Sequence, residues 1–109
     1  MAKEAEGLLK ELLEIQAYLK YEEAMAFFDQ EDWARAAVSL QEVVDNYPTT
    51  ETRAGALANL GMSYEYLHKW KAAAGVYDQL LKDYGEAPES ASAVAFAQEH
   101  LSWIVKNRL

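Results

Sequence analysis

The side chains that could do chemistry in this chain are two histidines, a few serines and a scatter of carboxylates. His68 and His100 have no second histidine at ligand spacing, and there is no cysteine. An imidazole or thiolate metal site would therefore lack its remaining ligands, and both histidines are expected at the surface or in loops. Glu22-Glu23 and the acidic group Asp29, Glu31 and Asp32 could imitate a carboxylate pair. No histidine, Gly-rich calcium loop or apolar pocket sequence accompanies them, so solvated charge is expected. The chain has no Gly-rich phosphate loop and no nucleophile elbow, and its serines lie in helical stretches with no base in sequence reach. The expectation is no catalysis, no cofactor and no metal. What remains is the chemistry of binding, carried by aromatics, methionines and acids.

Those groups need elements to position them. At 109 residues the chain is one domain by length. Its 51% hydrophobic and 12% aromatic content favours a packed fold over disorder. Five glycines and two prolines leave room for few turns, and abundant Ala with sparse β-branched residues points to long helices. A net charge of −8 disfavours a nucleic-acid partner, which needs a basic face. No apolar run is long enough to cross a bilayer, and MAKEAEGLLKEL has no uninterrupted apolar core of a signal peptide.

Five helices are expected. The first runs from Lys3 to about Asp29 and carries an apolar stripe, Leu8, Leu12, Ile15 and Leu19, widened by Leu9 and Leu13. Asp32 is placed to cap the second, about Trp33–Asn46, which Pro48 ends. Its inward residues are expected to be Trp33, Ala36, Ala37, Leu40, Val43, Val44 and Tyr47. Thr49 or Thr50 is expected to cap the third, about Glu51–Leu67. A break at His68-Lys69 leads into the fourth, about Trp70–Tyr84. Gly85 supplies a stop, and Pro88 opens the fifth, which runs to about Asn107 with Lys106 and Arg108 at its negative dipole end.

An internal repeat separates a bundle from a solenoid. A shift of 37 residues lays Ala17 on Ala54, Met25 on Met62, Trp33 on Trp70, Ala36-Ala37 on Ala73-Ala74 and Tyr47 on Tyr84. It also pairs Ala24 with Gly61, Phe27 with Tyr64, and Ala54, Ala56 and Ala58 with Ala91, Ala93 and Ala95. Small residues recur where two helices must approach, and tryptophans recur beside them.

These residues resemble the tetratricopeptide repeat, a helix–turn–helix unit with a Leu-Gly…Tyr signature. Here the signature is Leu60-Gly61 and Tyr64, followed by Trp70, Ala73 and Tyr77 in the second helix, with Gly85 where a proline would close the unit. In the first copy Ala24, Phe27, Trp33, Ala36 and Pro48 match, while Glu23 replaces the leucine. The resemblance covers about Ala17–Leu109. It implies an all-α, antiparallel helix-pair solenoid: extension 1–16, repeat one 17–53, repeat two 54–90 and capping helix 91–109. The long Tyr-Pro-ended spacer is also similar to bacterial envelope members, the Tol–Pal-associated and outer-membrane assembly lipoprotein types, which implies a periplasmic home.

The family's function implies a non-catalytic module that holds a protein or peptide on its concave face. By helical phase that face would carry Tyr18, Tyr21, Met25, Phe28 and Asp29 from the first helix. Asn59, Met62, Glu65 and Tyr66 would follow from the third, with Ala58, and Trp103 from the last, with Glu99 and Ser102. Such a groove suits an apolar segment bearing Lys or Arg. The Lys, Arg and Asn set that grips a C-terminal carboxylate in some members is replaced by Tyr21, Met25, Ala58 and Met62, with only Asn59 polar, so no such clamp is expected. The alternative is self-association into a homo-oligomer, through the N-terminal stripe or an uncapped end at Val94, Ala95 and Trp103. The stripe spans fewer than three heptads, so folding back as an intramolecular cap is the expected use.

Overall fold

The computed structural model describes residues 2–109; Met1, the first residue of the expected extension, lies outside them. Five α-helices follow one another: α1 (Ala2–Asp29), α2 (Trp33–Asn46), α3 (Thr52–Tyr66), α4 (Trp70–Tyr84) and α5 (Ala91–Arg108). A 3-10 turn, Pro88–Ser90, precedes α5, so the proline opens this turn and not the helix itself.

Each helix packs on the next. In addition α1 meets α3 and α3 meets α5, whereas α2 and α4 touch marginally at most. That asymmetry makes the odd-numbered helices the inner layer of a curved solenoid and the even-numbered ones the outer layer. The body measures 54 × 32 × 18 Å.

The turns between paired helices show the 37-residue repeat in backbone form. Asp32 N–H donates to Phe27 O at 2.9 Å and Lys69 N–H to Tyr64 O at 2.8 Å. Just before each, Glu31 and His68 take positive φ, 60° and 58°, the left-handed stop that glycine usually supplies. Asp32 then caps α2, its side chain accepting from Arg35 N–H. Gly85 ends α4 in a right-handed conformation, its N–H donating to Leu81 O.

The cap expected of Thr49 or Thr50 is not formed. Thr50 Oγ1 donates to Tyr47 O instead, and the Glu51 N–H at the start of α3 donates to the carboxylate of Glu14, 3.1 Å from each oxygen. A carboxylate on the neighbouring helix thus answers the positive end of α3. Arg53, in the first turn of α3, fastens the same end. Its Nε donates to Val44 O at 3.1 Å, and its Nη1 to Asp83 at 2.9 Å and Tyr84 Oη at 3.4 Å.

The core joins Ala24, Ala37, Leu40, Val43, Leu57, Leu60, Ala73, Tyr77, Leu80, Ala97 and Ile104. Of the residues expected inward on α2, Trp33 and Tyr47 are only half-buried. Gly61 is required by a neighbour and not simply by helix proximity. A Cβ there would lie 2.6 Å from Cζ and 2.8 Å from Cδ1 of the buried Tyr77 ring. The repeat-equivalent pair is Ala24 and Leu40, both fully buried, so the two repeats fill one position with a small–large pair of different sizes.

The N-terminal extension does not fold back. α1 is continuous over 28 residues, and every residue from Ala2 to Leu12 is exposed. Leu8, Leu9, Leu12, Ile15 and Leu19 remain between 52% and 63% exposed. With no break between Leu8 and Asp29, the stripe cannot return over the groove of its own chain.

The groove of the inner helices

Three inner helices set the candidate site. On α1 Ala17 and Ala24 are spent on the core, which leaves Tyr21, Met25 and Phe28 half-buried beside it and Tyr18 exposed. On α3 the residues left open are Gly55, Ala58, Asn59, Met62 and Tyr66, a strip at spacings of three and four. α5 contributes Phe96, Glu99, His100 and Trp103.

Some of these side chains serve the fold as well as the surface. Asn59 Nδ2 donates to Tyr21 Oη at 2.8 Å and to Gly55 O at 3.0 Å, tying α1 to α3. Burial, followed by the nearby Glu22 charge, raises the Tyr21 phenol above its ordinary value, so it stays a neutral acceptor. Trp33 stacks on Tyr66, centroids 4.0 Å apart, and Phe28 meets Trp33 edge-on at 4.8 Å. Phe28 and Tyr66 therefore wall one end of the groove. Asp29 is exposed at the same end.

The other wall is built around Glu65. Tyr77 Oη donates to Glu65 Oε2 at 2.5 Å, and His100 Nδ1 lies 2.7 Å from the same oxygen. A carboxylate only accepts, so Nδ1 carries the proton in this arrangement. Burial, reinforced by the bond to Glu65, drives the Tyr77 phenol well above its ordinary value. The His100 ring stacks on Phe96 at 3.9 Å, and Tyr77 meets Phe96 edge-on at 5.9 Å. Three helices are tied at one carboxylate.

His100, expected at the surface or in a loop, is instead half-buried on α5 and bonded to Glu65. Tyr77 and Phe96 belong to the same group and were not picked out as site residues. The signal for His100 was present: the 37-residue shift lays it on Ser63, which is fully buried and bonds Asn59 O. His68 does lie in its turn, stacked on Trp70 at 5.5 Å.

Beside this group opens a cleft of about 330 Å³ lined by Glu65, Glu99, His100 and Trp103. Trp103 is 45% exposed and packs near Trp70 at 5.9 Å, with the Arg108 guanidinium 5.0 and 5.2 Å from the two ring centroids. Glu99 is exposed. Ser102 is exposed farther round α5, and Val94 is buried in the core, not at an uncapped end. Among the described residues no group of three or more His, Cys, Asp and Glu side chains is placed to hold a metal ion. No helix among them is long and apolar enough to cross a membrane.

A family model of the tetratricopeptide repeat matches residues 16–50 and 56–87, more than half of the chain. Repeats of this family generally mediate protein–protein interaction. A search of curated proteins finds no match.

Proposed function

The chain belongs to the tetratricopeptide repeat family, and from that premise we propose that it is a non-catalytic module whose inner groove holds a peptide segment of a protein partner. The observation that carries this is the open strip of α3, Ala58, Asn59, Met62 and Tyr66, lying between half-open aromatics of α1 and the cleft of α5. Apolar side chains of the segment would lie on Met62, Met25 and Tyr66. A lysine or arginine would enter the cleft, where Trp103 offers a ring face and Glu99 a free charge. The net charge of −8 favours such a basic segment and disfavours nucleic acid. The long Tyr47-Pro48 spacer supports a bacterial cell-envelope, periplasmic setting, which fractionation of the source cells tests.

The test is affinity capture from an extract of the source organism with three baits of matched fold. These are the unmodified chain, a Met62→Glu, Glu99→Lys variant, and Val38→Glu on the exposed outer face of α2. Proteins held by the first and third baits and lost by the second support the groove. Retention by the groove variant, with loss by Val38→Glu, would move the site to the outer layer.

A further inference from the structure

We propose that two copies of this chain pair through α1, antiparallel, about a two-fold axis passing between Leu12 and Ile15. The pairing is independent of the groove. Leu8, Leu12, Ile15 and Leu19 lie roughly 160° round the helix from Ala17 and Ala24, by the 100° turn per residue of an α-helix. The stripe therefore points away from the body that α1 helps to form, with Ile15 and Leu19 edging a shallow cleft at the start of α3.

Three observations favour a second copy as the occupant. The first is area. Leu8, Leu9, Leu12, Ile15 and Leu19, each more than half exposed, leave about 600 Å² per chain to cover once flanking stems are included, or about 1,200 Å² for a pair, the lower bound of a stable interface. The second is the arm itself. About three turns of α1 project with every residue exposed, and a helix in a protein draws most of its stability from packing an amphipathic face, which these turns do not do within their own chain. The third is the contrast between the two ends of the solenoid. The outer face of α5 interrupts Ala91, Ala95 and Val105 with Gln98, Ser102 and Lys106, a smaller and broken apolar surface that matches the leucine stripe less well than a second stripe does. A head-to-tail chain of copies is thereby disfavoured, and an isologous pair remains.

Direction follows from the seam. The spacing of four, three and four continues to Glu22 on one side and Ala5 on the other. A parallel pair would set Glu22 against its own copy. The antiparallel pair sets Leu8 against Leu19 of the second copy, Leu12 against Ile15, and Glu22 against the small Ala5, with no like charges opposed along the seam.

The test uses the full chain. Sedimentation equilibrium should find a dimer whose Kd rises more than about 100-fold in Leu12→Glu, Ile15→Glu, with the cooperative unfolding transition of the solenoid body retained because both sites are exposed. A wild-type chain that stays monomeric up to about 100 µM, or a dimer indifferent to these changes, would overturn the proposal. Direction is read with Leu8→Cys and Leu19→Cys chains, mixed and oxidised by a glutathione couple, in a protein with no other cysteine. The mixed disulfide should dominate; dominance of the two homodisulfides would overturn the antiparallel arrangement.

Discussion

Exchanging the small–large pair of repeat two for that of repeat one should reveal how tightly the hairpin is specified. Gly61→Ala places a methyl group 2.6 Å from Tyr77 Cζ, and the ring has little freedom to yield. Its hydroxyl is held by Glu65 and its edge by Phe96. Overpacking of this kind costs about 1–3 kcal/mol, against a gain of about 0.5–1 kcal/mol for removing a mid-helix glycine. A net loss of about 1–2 kcal/mol is expected. Tyr77→Leu alone loses the ring and one bond to Glu65, about 2–4 kcal/mol. The double variant recreates the Ala24–Leu40 combination that repeat one already buries, so its loss should fall short of the sum by about 1–2 kcal/mol. Urea unfolding of all four proteins, followed by far-UV circular dichroism, measures the cycle. Additivity within about 0.5 kcal/mol would refute the claim that Tyr77 is the reason for Gly61, as would a Gly61→Ala protein more stable than the parent.

Three further outcomes follow from individual side chains. The buried Tyr77 phenol titrates above its ordinary value of 10.0; the unfolded chain then releases that proton first, so stability should fall as pH rises past about 10, and Tyr77→Phe should flatten the fall seen in urea midpoints between about pH 9 and 11. Arg53→Met removes the bonds to Val44 O, Asp83 and Tyr84 from a side chain only 11% exposed, and should cost about 2–3 kcal/mol by the same unfolding measurement. Glu31→Gly relieves a left-handed residue with φ of 60° and should stabilise by about 0.5–1 kcal/mol, read as a higher melting temperature.

The solenoid was legible because its physics repeats. Trp33 and Trp70 start the two outer helices, and α2 and α4 have the expected bounds, since each is bracketed by a local stop and a local start. What the sequence hid were devices that join residues far apart along the chain or use an unusual residue type. Glu14 caps α3 from another helix, which no local capping rule can anticipate. Glu31 and His68 stand where glycine is the usual signal, yet their 37-residue separation marks them as one turn used twice. The exposed stripe could have been read correctly. Between Gly7 and the acidic turn at Asp29 nothing breaks the helix, and about 30 Å of unbroken helix cannot double back.

The groove was harder to read because helical phase assigns a direction but not an employment. Glu65 and Asn59 lie on the inner layer, as expected, and both are engaged by neighbours: Tyr77 and His100 hold the one, Tyr21 accepts from the other. A carboxylate that already accepts two hydrogen bonds at one oxygen has less to offer an incoming cation than its position suggests. Its contribution is to tie α3, α4 and α5 at one point and so fix the wall from which Glu99 and Trp103 project. Substituting Glu65 would loosen that wall and remove charge together, and a loss of binding would not separate the two. Glu99 is exposed and outside the network, so reversing its charge alters what a partner meets while leaving the wall standing.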